Sequence, residues 1–517
     1  HHYMSQVVLI PAYIFLFFRS GAYKELKKSS YLMGALLFIC GLSAYIYLPI
    51  RAGSAYLNWG DPSSLNNFLQ VVTRWQYIRA EGTRSISGSF MQAVKFFNST
   101  SYAYVYAGTL FMLIGMFVLY RKEKNLFVFL ISIPAIFLLI TALYLNLDRD
   151  KLYIMETYIT PAYFPLSIFA ACGLIASGSF AARFFKHAGE AVPIFALAAI
   201  IAAQIFFFYP KLDKSSYFYV YDYNKNLYDS LDYNSIAFIA GDGVVFPSWY
   251  MKFVKHYRPD VTIIGSAVLP MKWVRDNIKA QNNKVKVPDI TNEKIGTEST
   301  GYIMNAIIRM NASVYPIYFS YNTPEDNSML GGFTLMPKGV VFKTLPVKYA
   351  VPTPQYITVV RNLWSYYNLR GIFGGRSRTL DKRTYELYIK DYSVSLNSTG
   401  TFLEQAGLTE LSLEFFKKAH NFDPLDHEYV YNIGNGYYNT GDIPDAVNMY
   451  KQCLSMKPDY ISAWFNLAVC YYNTKDYDDA LMAFKKVKEI DPARKDVDSY
   501  ISFIENINRI GVKIPGK

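Results

Sequence analysis

Charge is scarce in this chain, and so are the residues from which metal sites and disulfide frameworks are built. Only 18% of the 517 residues are Asp, Glu, Lys or Arg, against 52% hydrophobic and 17% aromatic, which excludes a wholly water-soluble protein. Four cysteines occur. Cys40 and Cys172 lie inside apolar runs and Cys453 and Cys470 near the C-terminus, so neither ligand spacing nor a secreted disulfide pattern can be drawn. His187, His256, His420 and His427 are scattered without partners at ligand spacing, so no metal site and no cofactor is expected. The net charge of +12 does not mark a nucleic-acid face. Residues 1–210 hold 16 Lys+Arg against 8 Asp+Glu, a surplus of 8, leaving 4 for the remaining 307 residues. The excess sits beside apolar runs, as membrane orientation signals do. No signal peptide is visible, and the sequence opens inside a hydrophobic run without an initiator Met. The expectation is that the N-terminus lies upstream, with a tag origin for His1-His2 as the alternative.

Apolar length is what the chain has in abundance. Six stretches, roughly 1–18, 31–50, 102–120, 125–145, 159–178 and 190–209, approach the span of a bilayer. The short links 19–30, 121–124 and 179–189 are basic and read as cytoplasmic. The loops 51–101 and 146–158, and everything after Tyr209, then face the extracytoplasmic side. The five basic residues of loop 51–101 are spread over 51 positions, which keeps this orientation.

The loop from Leu48 to Tyr77 gathers the densest polar chemistry. Arg51, Asn58, Trp59, Asp61, Arg74, Gln76 and Tyr77 lie in it, and Gly60-Asp61-Pro62-Ser63-Ser64 turns the chain into an amphipathic helix carrying Leu65, Phe68, Leu69, Val72 and Trp75. Such a helix lies along a membrane surface. Guanidinium, carboxylate, amide and aromatic groups at one membrane face suit an anionic lipid-linked head group. The plainer reading is an interfacial loop whose Trp and Tyr anchor and whose Arg residues snorkel.

The series Pro49-Ile50-Arg51-Ala52, Asn58-Trp59-Gly60-Asp61-Pro62 and Arg74-Trp75-Gln76-Tyr77 resembles the central block of the transmembrane protein 260-like glycosyltransferases. His1-His2-Tyr3-Met4 is similar to the family's His-His helix start. Asp148-Arg149-Asp150 with Tyr158–Tyr163 is similar to its later loop-to-helix entry, although extra residues separate the two parts. Gly241-Asp242-Gly243, Pro247-Ser248-Trp249-Tyr250 and Arg258-Pro259-Asp260-Val261 resemble its α/β segment. The resemblance covers about the first 350 residues in order. It implies a partial GT-C-like membrane domain that moves a hexose, mannose above all, from a polyprenyl-phosphate carrier to protein Ser/Thr on the extracytoplasmic side. Inversion needs a carboxylate to deprotonate the acceptor and cations to stabilise the departing lipid phosphate. The principal acid of the family is expected upstream of His1. Asp61 is the candidate second carboxylate, with a Gly-Asp-Pro turn role as the alternative. Arg51, Arg74 and Arg149 are candidates for phosphate, with charge balance at the head-group boundary as the alternative; Trp59 and Tyr77 stack on the sugar or merely anchor, Asn58 and Gln76 are candidates for substrate binding, and His2 for substrate or simply a helix end.

Beyond Tyr209 the alternation of apolar runs at 235–240 and 261–265 with amphipathic stretches at 246–257 and 270–280 suggests a parallel α/β layer, with further strands at 315–320 and 339–345. Asp242 ends the first run, and a tight-turn role is preferred for it because no phosphate-binding glycine fingerprint accompanies it. Pro424, Pro458 and Pro492 are spaced 34 residues apart. In register before them stand Gly400, Gly434 and Ala468; Leu403, Tyr437 and Tyr471; Ser412, Ala446 and Ala480; Phe416, Tyr450 and Phe484. This is the tetratricopeptide pattern, with a degenerate first repeat and a capping helix near 494–508.

The expected protein is therefore multi-domain. A polytopic α-helical membrane domain (1–210) precedes a soluble extracytoplasmic α/β domain (211–390) and an all-α tetratricopeptide-repeat solenoid (393–517) that takes a protein acceptor or partner. The Asn-x-Ser/Thr sequons at Asn98, Asn311 and Asn397 fall in the parts placed outside. Two classes stay open: a glycosyltransferase, and a non-catalytic membrane-tethered repeat scaffold. A transporter is weaker, because no charge lies deep in the marked spans.

Overall fold

The computed structural model describes residues 14, 17–19, 21–54, 58–73, 86–139, 160–215, 217–290, 297–321, 332–346, 351–372 and 384–510. They fall into two compact units, His1–Ala55 with Gly60–Ser215, and Tyr56–Trp59 with Ser216–Lys517.

The first unit is helical and apolar. Its main helices are α1 (Lys28–Leu42), α2 (Leu65–Thr73), α3 (Ile86–Ala103), α4 (Ala107–Lys122), α5 (Lys124–Leu139), α6 (Tyr163–Ala181) and α7 (Ala188–Leu212). Six spans were expected. Among the described residues only Thr160–Ala181 and Ala188–Pro210 are long and apolar enough to cross a membrane alone, and α3 with α4 would add a third as one broken span. The difference has a local cause at each site. The 31–50 run passes through a 3-10 turn at Ser43–Ile46. The run from Tyr102 breaks by 106° between α3 and α4. The described part of 125–145 ends with α5 at Leu139, and most of 1–18 lies outside the described residues. Helices α4 and α6 pack backbone to backbone. A methyl on Gly115 would lie 1.7 Å from the Phe169 carbonyl oxygen, and one on Gly173 1.8 Å from that of Phe111. Small residues allow this approach where side-chain burial gives no drive, as between helices in lipid.

The second unit is built on a five-stranded sheet: β1 (Ile236–Ile239), β2 (Thr262–Gly265), β3 (Ile317–Ser320), β4 (Phe333–Lys338) and β5 (Val341–Pro346), in the order β2-β1-β3-β5-β4. The sheet is mixed where an all-parallel one was expected. β1 pairs parallel with β2 and β3, whereas β5 and β4 are added antiparallel as a hairpin. Gly339 closes that hairpin at φ 64°, and a side chain there would strike the Tyr367 hydroxyl. Strand β4 escaped the sequence reading because Pro337 interrupts it. On an edge strand the missing N–H is tolerated, and the Pro337 carbonyl accepts from Tyr356 Oη at 2.7 Å. Both faces of the central strands are buried. Ala237 and Ile239 face α8 (Tyr219–Asp229) and α9 (Asp242–Trp249), while Ile236 and Phe238 face α10 (Lys272–Gln281) and α11 (Thr297–Asn311). That is why the strands read as unbroken apolar runs.

After α12 (Pro354–Tyr366) the chain forms three helix pairs and a cap: α13 (Lys390–Gln405) with α14 (Thr409–Phe422), α15 (His427–Asn439) with α16 (Ile443–Met456), α17 (Ile461–Asn473) with α18 (Tyr477–Ile490), then α19 (Asp496–Ile510). The register read from the prolines holds. Each proline lies two residues beyond a helix end, and the small residues receive the aromatics of the paired helix. A methyl on Gly400 would lie 2.5 Å from the Phe416 ring, and one on Gly434 2.7 Å from the Tyr450 ring. The degeneracy of the first pair has a physical reason: α13 serves two cores. Tyr392 is buried in the sheet core, Asn226 Nδ2 donates to its hydroxyl at 2.8 Å, and Tyr223 Oη donates to Asp391 Oδ2 at 2.6 Å.

Candidate functional site

The loop residues singled out from the sequence are placed as follows. Arg51 is exposed in the last turn of the short helix Tyr47–Ala52. Gly60 and Asp61 both adopt left-handed backbone, φ 73° and 42°. Gly60 is required here, because a side chain would lie 2.3 Å from Val71 Cγ2 of α2. Asp61 belongs to the residue types that tolerate this conformation, so its turn role is realised. Its carboxylate is half-buried. Ser64 then caps α2, its Oγ accepting from the Asn67 N–H at 3.2 Å. The expected amphipathic helix is present, with Leu65 and Leu69 exposed on one flank and Phe68, Val71 and Val72 half-buried.

Asn58 and Trp59 belong to the second unit. The Trp59 ring packs 4.9 Å from Trp273, 5.6 Å from Phe246 and 6.2 Å from Trp249, centroid to centroid. Aromatic pairs of this kind contribute about 0.5–1.5 kcal/mol each beyond their buried area. Arg74, Gln76, Tyr77, Arg149 and His2, and the Asp148–Asp150 loop, lie outside the described residues.

The α/β motif residues that carry the family resemblance hold the fold. Arg258 donates to the Tyr228, Leu231 and Asp232 carbonyls at the end of α8 and pairs with Asp260 at 2.9 Å. The hydrogen bond from Arg258 keeps the Asp260 carboxyl below the usual range. Ser248 Oγ donates to Asn224 Oδ1 at 2.7 Å, and the Gly243 carbonyl accepts from Tyr388 Oη at 2.7 Å. Lys252 is buried with its ammonium donating to the Pro259 and Val261 carbonyls, and burial pushes its pKa down to about 8. Asp242 is exposed in the first turn of α9. Asn311 is buried, its amide bonded to Lys286 and Ile307, which closes that sequon in the folded chain.

Sequence reasoning missed one feature of the first unit, a groove of about 960 Å³ at the break between α3 and α4. Val105 and Tyr106 both sit at positive φ, 54° and 53°, a strain of about 1–3 kcal/mol each. Compensating bonds surround the break. Tyr104 Oη bonds to the Tyr163 carbonyl (2.8 Å) and Ser167 Oγ (2.7 Å), and Gln204 Nε2 of α7 donates to the Ala103 carbonyl at 2.9 Å. Lys95, Asn98, Ser99 and Tyr102 line one wall. Their spacing of i, i+3, i+4 and i+7 was the available signal. Gln204, Ile205, Phe208 and Leu212 of α7 line the other.

Comparisons with known proteins bear on these regions. Residues 220–304 match TMEM260-associated domain 2, and residues 431–494 match a tetratricopeptide repeat. The chain is 22% identical over 380 residues to the protein O-mannosyl-transferase TMEM260 of Mus musculus, covering 70% of this chain and 54% of the mouse protein. It thus spans about half the length of that curated relative. Among solved structures, the tetratricopeptide domain of Sgt2 from Aspergillus fumigatus is similar over 24% of this chain and 86% of its own, at 18% identity and TM-score 0.22. The OM64 domain of Arabidopsis is similar over 23% and 98%, at 11% identity and TM-score 0.23.

Proposed function

We propose that this chain, which resembles TMEM260 in its associated domain and carries tetratricopeptide repeats, is part of a membrane glycosyltransferase. In this reading it moves a sugar, mannose by analogy with the mouse relative, from a polyprenyl-phosphate carrier to Ser/Thr of a protein. The observation that carries it is the match to a protein O-mannosyl-transferase over 70% of the chain. The two long apolar helices fit the membrane association this requires. Asp61 takes the acceptor proton, with Arg51, Arg74 and Arg149 on the lipid phosphate and Gln76, Tyr77 and His2 on the rest of the substrate. Trp59, its ring committed to the Phe246–Trp249–Trp273 cluster, anchors its segment instead of stacking on sugar. The repeats recruit the acceptor, and the extracytoplasmic side is the side of transfer.

Incubation of the protein with polyprenyl-phosphate mannose and a Ser/Thr-rich acceptor tests this. Transfer that falls at least tenfold in Arg51→Ala supports it, in line with the loss of one charge-assisted phosphate contact. No transfer, with wild type and Arg51→Ala alike, sinks it. The repeat match favours a second reading, a membrane-tethered scaffold. Partner capture that persists when Arg51 and Asp61 are both replaced, with no transfer by the parent, would select it.

A further inference from the structure

We infer that the outer surface of α8 and α9 rests on the head-group layer of a bilayer, through an exposed ridge of Phe246, Tyr250 and Val254. These residues recur at every fourth position and are 44%, 47% and 60% exposed. Val244, Val245 and Trp249 of the same helix turn into the sheet core. Two apolar faces on one helix leave the second uncovered by its own domain. After Trp249 the helix widens into a π turn, Tyr250–Val254, closed by the Lys255 N–H donating to the Tyr250 carbonyl at 3.1 Å. The wider turn sets the Lys255 ammonium 5.8 Å from the Tyr250 ring centroid. Aromatic rings, an aliphatic side chain and a lysine stem laid alongside them are the mixture that settles at a membrane–water boundary. The neighbouring helix continues the surface. Phe218 and Tyr221, in the cap and first turn of α8, are also exposed, and α8 and α9 cover the same face of the sheet.

The course of the chain points to lipid as the occupant. This unit takes in chain at two places, Tyr56–Trp59 and Ser216. Trp59 belongs to the loop whose composition marks a membrane face, and its ring stands 5.6 Å from Phe246, the first residue of the ridge. Phe218 follows Leu212, the last residue of α7, by six residues. Six residues reach at most about 20 Å, and α7 is apolar enough to cross a bilayer. Helix α11, on the other face of the sheet, exposes Tyr302 and Met310 and supplies an internal control. The inference rests on the membrane association carried by α6 and α7, and it does not depend on sugar transfer.

The full chain, in nanodiscs of radiolabelled phosphatidylcholine, tests this with a photo-crosslinking residue in place of Tyr250, or of Tyr302 as the control. Lipid capture at position 250 should exceed that at 302 at least tenfold. It should persist in high salt, because the contact is apolar and salt screens only charge. Val254→Glu should lower capture at position 250 about tenfold, the effect of withdrawing one aliphatic side chain from an apolar contact. Val254→Leu should preserve it, and neither change should move the thermal melt, since position 254 is exposed. Equal lipid capture at 250 and 302, capture of protein in place of lipid at 250, or unchanged capture in Val254→Glu overturns the assignment. Sugar transfer without capture at 250 would sink the ridge and leave the transferase reading standing. Capture without transfer would do the reverse.

Discussion

Glycine does opposite work in the two halves of this molecule. In the apolar unit Gly115 and Gly173 let two backbones touch, each standing against a carbonyl of the opposite helix. In the repeats Gly400 and Gly434 make holes that the rings of Phe416 and Tyr450 fill. What stands beside the glycine differs, a backbone carbonyl in one case and an aromatic ring in the other. Where lipid replaces water outside a helix, burying a ring yields little, and close van der Waals and Cα–H contact dominates. Where water surrounds the pair, burying an aromatic ring is the main source of stability.

The comparison can be broken, beginning with the largest expected effect. Gly173→Ala should destabilise the apolar unit by more than about 4 kcal/mol, because the backbone it meets cannot step aside. Heating in detergent followed by size-exclusion chromatography measures this, and a wild-type profile would refute the backbone contact. Gly434→Ala should cost about 1–3 kcal/mol, because a ring can shift where a carbonyl cannot. Adding Tyr450→Leu should recover part of it, read by hydrogen exchange in α15 and α16. The sheet-containing unit should also respond to pH. The folded pKa of Lys252, about 8, lies below that of an ordinary lysine at 10.5, so between these values the unfolded chain holds the extra proton. Stability should therefore rise by about 2 kcal/mol from pH 8 to 9.5, and Lys252→Met should flatten that rise in a thermal-melt series. The smallest effect belongs to Ala468→Gly, about 1 kcal/mol from helix propensity alone. A larger loss would mean that the third repeat uses its small residue differently from Gly434.

Legibility followed the range of the contacts. The tetratricopeptide register was readable because each repeat buries its aromatics against its own partner helix, so the pattern recurs along the chain. Strands β1, β2, β3 and β5 were readable as apolar runs, whereas β4 was hidden by Pro337. The mixed pairing was hidden too, since residue order says nothing about which edge a hairpin joins. In the candidate loop the Gly60–Asp61 turn and the Ser64 cap could be anticipated from residue types. The partners of Trp59 could not, because Phe246 and Trp273 lie about two hundred residues away and share no period with it.

From the sequence alone came the apolar class, the repeat solenoid, the α/β segment and the resemblance to a transferase family. Each is written in composition, periodicity or short motifs that neighbouring residues satisfy among themselves. Tertiary structure alone decided the fusion of α13 with the sheet core and the aromatic socket of Trp59. It also decided the groove opened by the Val105–Tyr106 break. These depend on contacts between residues distant in sequence, and such contacts leave no periodic trace because only the folded backbone brings them within reach.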